Sequence, residues 1–515
     1  MGLFNKIFNK SDKKKELKQF YKVNMSGVSN SLSSDDEKLL FKKIDDGEIT
    51  SKKEIETFFN SRKPNALDTL VNDLSSKKNT NPVKNLKTKE DIIKFIDEKG
   101  RNTLTNLSGL ENADTSQITD MEQLFVNCNN LVDISAIKDW DTSKVTNMKG
   151  MFAKCNNLVD VSALKNWDTS KVTNMQVMFG ECNSLANISG LKDWDTSKVT
   201  IMHLMFAHCN SLVDVSGLKD WDISSLTNMN VMFVNCNSLA NISGLKDWDT
   251  SKVTDMNSIF ADCTSLVDVS PLKNWDTHQV KGIEFMFQNC TGISDVSGLK
   301  EWDVSNITSM MGLFQNCSGI SDVSGLKDWD VSNITCMRAM FEGCTNLVDV
   351  SGLKDWDTSK VTNMMAMFQN CRSLVDVSGL KDWDTSKVTN MWTMFNDCGL
   401  VDISGLKDWD ISNLKNMKAM FAKCNNLTEI SALKNWNTGN VTHMESLYNQ
   451  CTSLVDVSGI KDWNVSKVKS MDGMFWHCSN LVDVSALENW DVGNMTILEA
   501  MFEGCNISKY PSWYK

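Results

Sequence analysis

The 515-residue sequence predicts an α/β repeat solenoid of about fifteen turns, each built from one short strand and one short helix. Cysteine recurs every 27 residues apart from a single 26-residue step, tryptophan recurs in parallel, and the residues between them change little. A fixed period of roughly 20–50 residues is typical of repeats that stack on one another. The series consists of Cys128, Cys155, Cys182, Cys209, Cys236, Cys263, Cys290, Cys317, Cys344, Cys371, Cys398, Cys424, Cys451, Cys478 and Cys505.

The strand is predicted from the start of each unit, which reads LVDISAI from Leu131. Leu131, Ile134 and Ile137 fall at steps of three in a β-branched stretch, and the strand is expected to enter a bend after Ile134. A Trp-Asp-Thr-Ser segment follows. Its Asp and Ser side chains are able to bond to their own backbone, so Asp141 is interpreted as a turn former.

The helix is predicted from the second half of each unit. Met148, Met151, Phe152 and Cys155 fall at i, i+3, i+4 and i+7, which is the spacing of one helix face. Thr146 is expected to be the N-cap, because its hydroxyl is able to accept from an N–H of the first helical turn. No single unit is able to bury these apolar residues alone, so we expect each turn to be stabilised by its neighbours.

The cysteine series is interpreted as a column of buried free thiols. Disulfides in small domains normally join cysteines at different positions of the fold, whereas these cysteines occupy the same position in successive turns. The sequence contains no Cys-x-x-Cys pair, which argues against metal ligation. Cys336 lies outside the series, at the position of Asn147, and is expected to be an exposed thiol.

The repeat LVDVSxLxxWDTSxVTNMxxMFxxC resembles those of the BspA-like leucine-rich-repeat surface proteins, including mycoplasma surface proteins. The resemblance extends from about Leu104 to Ile507. It implies a leucine-rich-repeat-like solenoid that binds other molecules, usually on a bacterial cell surface. The family supplies no catalytic residues.

Residues 1–23 form a basic amphipathic segment, with apolar Leu3, Phe4, Ile7 and Phe8 followed by three lysines. The apolar run is too short for a secretory signal, and the sequence shows no anchor. Contact with an anionic membrane surface is one interpretation, and a frayed helix or packing segment is the other. Localisation is left open between the cell surface, which the resemblance implies, and the cytoplasm.

Residues 24–103 are expected to form a small helical or partly disordered region. It contains two helical patterns, Ser34–Phe41 and Thr88–Lys99, and the second is predicted to cap the first turn. Residues 104–507 form the solenoid, and residues 508–515 a C-terminal cap of aromatic side chains.

The charge is unevenly distributed. Residues 1–103 carry 22 Lys+Arg and 16 Asp+Glu, whereas the remainder carries 31 and 49, which gives net charges of +6 and −18. An acidic body argues against nucleic acid as a partner, because phosphates require a basic face. It favours a basic partner or cations.

Two sets of residues are candidates for partner binding. The first is Trp392 and Trp476, which lie at positions that vary between turns. Two explanations of these tryptophans remain open: they anchor a partner, or they result from neutral drift on a solvated face. The second is an acidic column, for which Ca²⁺ binding, a basic partner, and solubility alone remain open. Its members at the position of Asp133 include Asp160, Asp214, Asp268, Asp295, Asp322, Asp349 and Asp376.

The sequence favours a non-enzymatic protein without a cofactor. Its five histidines lie in different turns and at different positions, and no glycine-rich phosphate loop is present. We expect protein–protein interaction or adhesion with a partner that is basic or host-derived. An intracellular interaction scaffold or structural spacer is the alternative.

Overall fold

The computed structural model describes residues 40, 42–44, 86–493 and 497–514. Backbone contacts divide the chain into residues 1–84 and 85–515, so the predicted cap helix belongs to the same unit as the repeats. The amphipathic segment 1–23 and most of the predicted helix Ser34–Phe41 lie outside the described residues.

Helix α1 (Lys89–Lys99) precedes the repeats, as the sequence predicts. The Thr88 side chain accepts from the Asp91 N–H, and the Asp91 side chain accepts in return from the Thr88 N–H. Ile92 and Ile96 are buried in the same core as the first turn of the solenoid. Helix α1 therefore covers apolar side chains that would otherwise be exposed at the N-terminal end.

The predicted strand is reduced to one residue per turn. Within residues 86–493 and 497–514 there are isolated parallel bridges but no continuous strand. One column of bridges joins positions such as Asn106 and Asp133, and a second joins positions such as Asn147 and Asn174. The strand ends at once because the next residue, Ile134, has a ψ of 14° and turns the chain away.

Short 3₁₀ helices occupy the bend that follows each bridge. An additional one, Arg101–Thr103, follows helix α1. Those of the repeats are Ser135–Ile137, Ser162–Leu164, Ser189–Leu191, Ser216–Leu218, Ser243–Leu245, Ser270–Asn274, Ser297–Leu299, Ser324–Leu326, Ser351–Leu353, Ser378–Leu380, Ser404–Leu406, Ser431–Asn435, Ser458–Ile460 and Ser485–Leu487.

The predicted helix from Met148 to Cys155 is not an α-helix. Two positions in every turn have positive φ, as at Val177 (56°) and Glu181 (61°), whereas an α-helix needs φ near about −63°. The segment is a run of i→i+3 turns, and Thr146 is not an N-cap. The Thr146 hydroxyl donates to the Thr119 carbonyl of the preceding turn at 3.2 Å.

Hydrogen bonds between turns explain why the helix does not form. Every second N–H of this segment donates to the next turn, and every second carbonyl accepts from the preceding turn. This segment is therefore polar along the stack, with open carbonyls at the N-terminal end and open N–H groups at the C-terminal end. In the second turn the pairs are Met148 N–Asn174 O (2.9 Å), Gly150 N–Gln176 O (2.8 Å), Phe152 N–Met178 O (2.9 Å) and Lys154 N–Gly180 O (2.8 Å).

The core consists of parallel columns of identical side chains. Neighbouring Phe rings stack with centroids 5.7 Å apart, as for Phe152 and Phe179, and neighbouring Trp rings at 6.3 Å, as for Trp140 and Trp167. The Trp167 indole N–H donates to the Ile137 carbonyl of the preceding turn at 3.1 Å. Because the indole groups find acceptors, these large side chains are buried without an unpaired donor.

Residues 510–514 cover the last turn. Trp513 stacks on Trp490 at 6.4 Å and donates to the Leu487 carbonyl at 2.8 Å, which repeats the contacts of the Trp column. Tyr514 packs edge-on against Phe502 at 5.0 Å. These contacts bury apolar side chains of the last turn.

Candidate interaction surfaces

The variable face is the surface formed in each turn by the four positions that correspond to Lys149, Gly150, Ala153 and Lys154. These positions alternate with buried Met, Phe and Cys residues of the irregular segment, so they lie at the outside of the core. The hydrogen bonds between turns hold the backbone in the same conformation throughout, while the side chains on this face differ from turn to turn.

The two candidate tryptophans both lie on the variable face but are not brought together. Trp392 is 37% exposed and belongs to the turn of Cys398. Trp476 belongs to the turn of Cys478, is half-buried, and packs edge-on against His477 at 3.8 Å between ring centroids. Because three turns at about 4.8 Å separate them, each tryptophan would contact a different part of a partner.

The seven candidate carboxylates are exposed, and each also has a structural role. One oxygen accepts from the backbone N–H of the serine two residues on, which fixes the start of the 3₁₀ helix. Asn187 makes the same bond to Ser189 at 3.0 Å, so the cap does not need the negative charge. The distances are 2.7–2.8 Å for Asp160, Asp214, Asp268, Asp295, Asp322, Asp349 and Asp376.

An exposed apolar column runs beside the acidic column, and sequence reasoning missed it. It is formed by the valine that precedes most of these aspartates, and Val213 and Val267 are 51% and 55% exposed; serine precedes Asp295 and Asp322. From the sequence alone, a β-branched residue next to a strand position is expected to be buried in the core. The single-residue bridge leaves this side chain outside instead, next to a carboxylate.

A comparison with protein families decides the identity of the repeats. The model described as "Mycoplasma protein of unknown function, DUF285" matches residues 96–215, 210–323, 308–428 and 401–513. The chain belongs to the DUF285 family. The match confirms the resemblance to mycoplasma-type repeats over nearly the whole solenoid. A comparison with curated proteins finds no match for this DUF285 chain.

Solved structures similar to this DUF285 chain are bacterial leucine-rich-repeat proteins. One from Bacteroides ovatus has 15% identity and a TM-score of 0.34, over 62% of this chain and 76% of that one. A leucine-rich cell surface protein from Faecalibacterium prausnitzii has 14% identity and a TM-score of 0.29, over 76% and 82%. One from Eubacterium ventriosum has 13% identity and a TM-score of 0.29, over 81% and 87%.

The thiols of the DUF285 repeats lie inside the solenoid. Fourteen of the described cysteines are buried, and Cys336 and Cys505 are half-buried. The Cys182 thiol donates to the Phe152 carbonyl at 3.1 Å, and burial raises the pKa of Cys182 to about 12. Burial keeps the Cys182 thiol protonated and inaccessible at neutral pH, so it is a poor nucleophile and a poor metal ligand.

The histidines of the DUF285 chain make local contacts. His278 Nδ1 lies 2.5 Å from the Asp276 carboxylate, and His203 pairs with the side chain of Asn230. Across the part of the chain that the structure describes, no three His, Cys, Asp or Glu side chains come together in a way that could hold a metal ion. None of the described helices has both the length and the apolar character to cross a bilayer.

Proposed function

We propose that this chain is a non-enzymatic binding protein whose variable face mediates protein–protein interaction. The observation that carries the proposal is one backbone conformation, repeated turn after turn, whose side chains differ most on the variable face. Trp392 is 37% exposed there, and exposed tryptophans on rigid scaffolds are frequent anchors of binding energy.

The acidic column supplies a second contact surface for a basic partner. Asn187 shows that capping needs only an oxygen, so the negative charge at the other turns is available for long-range attraction. Adhesion at a bacterial surface, with a host-derived partner, is the form of this function that the family resemblance favours. An intracellular scaffold that uses the same surfaces is the alternative.

The proposal is tested with the full chain and three alanine variants. The full chain is cross-linked to cells or extracts that contain candidate partners, and captured proteins are quantified. Trp392→Ala and Trp476→Ala are expected to reduce capture at least about tenfold, as truncation of an anchor typically does. Lys198→Ala, which removes an exposed side chain from neither contact surface, is expected to leave capture unchanged. Equal capture by all variants would contradict the role of the variable face.

A protease added to intact source cells distinguishes adhesion from an intracellular role. Cleavage of the chain without cell lysis supports surface display. Protection of the chain, with cleavage only after lysis, supports the scaffold.

A further inference from the structure

The variable face carries a cluster of large side chains on five consecutive turns. These are Phe285, Met311, Arg338, Met365 and Trp392, at adjacent positions of successive turns. The Phe and Met side chains are half-buried, whereas Arg338 and Trp392 are exposed. At about 4.8 Å per turn the cluster is about 20 Å long, the length of about six extended residues.

Four members of the cluster, all except Trp392, line a cleft of about 360 Å³. Phe285, Met311 and Met365 form its walls, and Ala339 and Ala366, only 4% and 5% exposed, form its floor. Small residues at the floor and long residues at the walls produce a concave surface, which is apolar at the Phe and Met side chains and polar at the Gln, Glu and Arg side chains. Met side chains adapt their shape to an apolar guest, which suits a cleft that receives a side chain.

One edge of the cleft is a row of hydrogen-bonded Gln side chains that includes the Glu342 carboxylate. Gln288 Nε2 donates to Gln315 Oε1, and Gln315 Nε2 donates to Glu342 Oε2, each at 2.7 Å. Gln369 continues the row along the cleft. Amides held in this way offer hydrogen-bonding groups at regular intervals, which the backbone of an extended peptide requires.

Arg338 is the basic group of the cleft and Glu342 is its acidic group; the Glu342 carboxylate accepts from the Gln315 amide, and among the described residues no ion pair joins it to Arg338. Arg101 pairs with Asp97 at 2.6 Å, and Arg372 pairs with Asp397 at 2.8 Å. Across residues 86–493 and 497–514, by contrast, Arg338 forms no ion pair. The arginine fork binds carboxylates through two parallel hydrogen bonds. An unmatched arginine among Met and Phe side chains is therefore complementary to an acidic group on a partner.

We propose that this cleft binds an extended peptide segment of a partner protein through an acidic side chain and a neighbouring large apolar side chain. The acidic side chain pairs with Arg338, and the apolar one enters between Met311 and Met365. Trp392 lies in the next turn, outside the lining of the cleft, and contacts the next residue of the peptide. Aromatic residues, Met and Arg are the residue types enriched at interfaces, and all three occur here. The inference rests on the proposed function, since it specifies one site and its partner chemistry.

A displayed library of random twelve-residue peptides, selected on the full chain, tests the proposal. The enriched peptides are expected to carry Asp or Glu next to a Leu, Met, Phe or Trp. Their affinity is expected to fall at least about tenfold in Arg338→Glu and in Met365→Ala, and less in Arg338→Lys, which keeps the charge but loses the fork. A peptide with Lys in place of its acidic residue is expected to bind Arg338→Glu better than the wild type.

Lys198→Glu is the matched control, since it reverses an exposed charge away from the variable face and is expected to have no effect. Peptides that bind Arg338→Glu as tightly as wild type would overturn the assignment, as would failure to enrich any peptide. Enrichment of purely apolar peptides would do the same. The broader function is judged separately, by partner capture with the Trp476 variant, because Trp476 lies outside this cleft.

Discussion

The guanidinium of Arg101 donates to the backbone carbonyl of Leu124 at 3.1 Å and to that of Val126 at 3.0 Å. Both carbonyls belong to the first turn, where no preceding turn supplies an N–H. Asp97 holds the guanidinium in place from the end of helix α1. The Arg101 side chain thus supplies hydrogen bonds to two carbonyls that have no partner in a preceding turn, as a C-cap does for the last carbonyls of a helix.

Arg101→Met is expected to destabilise the N-terminal end by about 1.5–3 kcal/mol, the usual contribution of hydrogen bonds to a charged group. Hydrogen exchange of amides in residues 104–130 measures it, since those turns should open first. Arg372→Met is the control. Its side chain is 67% exposed and pairs only with Asp397, so it should cost less than about 1 kcal/mol. Equal losses of stability would contradict a capping role for Arg101.

Tyr448 replaces Phe in the aromatic column, between Phe421 at 5.8 Å and Phe475 at 5.5 Å. Its hydroxyl is buried and has no hydrogen-bond partner among the described residues. Burial raises the pKa of the phenol, which stays neutral. Tyr448→Phe is therefore expected to stabilise the chain by about 1–3 kcal/mol, measured by chemical denaturation.

The reverse substitution, Phe314→Tyr, places a hydroxyl in the same column and is expected to destabilise the chain by a similar amount. Loss of stability in Tyr448→Phe would show that the hydroxyl has a partner in solution.

Thiol reactivity should separate the cysteine column from the remaining thiols. Only Cys336 and Cys505, which are half-buried, are expected to react within seconds with an aromatic disulfide reagent in the native protein. All 16 cysteines should react after unfolding. Rapid reaction of many native thiols would show that the column is open to solvent. Cys336→Ser should remove one of the fast thiols and serves as the assignment control.

Stability should fall steeply at alkaline pH. Burial raises the pKa of Cys182, Cys236 and Cys424 to about 12, whereas thiols of an unfolded chain titrate near about 8.5. The folded state holds these protons more tightly, so the stabilisation is complete below pH about 8.5 and is lost as the pH rises towards 12. Each buried thiol contributes a loss of about 1.4 kcal/mol per pH unit in that window.

The measurement is the free energy of unfolding of the reduced chain against pH. In the double variant Cys182→Ala/Cys236→Ala, the slope of the unfolding free energy against pH is expected to decrease by the contribution of about two protons. A general alkaline effect would leave this slope unchanged. An unchanged slope would contradict the raised pKa values.

The sequence was sufficient for the solenoid, its period and its buried columns, because the repeat itself encodes the stacking. It misled on the segment from Met148 to Cys155. The buried residues there have helical spacing, but they belong to successive i→i+3 backbone turns within one repeat. A signal was present at the position of Lys154, which has positive φ in every turn. Asn, Asp or Gly, the residues that tolerate this conformation best, occupy it in nine of the fifteen turns, including Asn289 and Gly343.

The acidic column was interpreted from its charge, and its capping role was missed. Asp133 and Ser135 have the same Asp-x-Ser spacing as Asp141 and Ser143, for which the sequence did predict a turn. Both aspartates accept from the serine N–H, at 2.8 and 3.0 Å. The cleft around Arg338 was not predictable, since its residues are about 27 positions apart and each is unremarkable in its own turn.

Glycines at one position of the 3₁₀ helix differ in how closely the preceding turn approaches. A Cβ added to Gly190 would collide with the backbone of Val161 and Ser162, whereas the nearest atom to one at Gly217 would be the Ile188 carbonyl oxygen at 3.5 Å. Gly190→Ala is expected to cost about 1–3 kcal/mol, because two backbone segments must separate. Gly217→Ala should be neutral or stabilise by about 0.4–1 kcal/mol, since alanine restricts the unfolded chain. Denaturation midpoints of the two variants measure the difference, and equal effects would contradict the closer approach of the preceding turn at Gly190 than at Gly217.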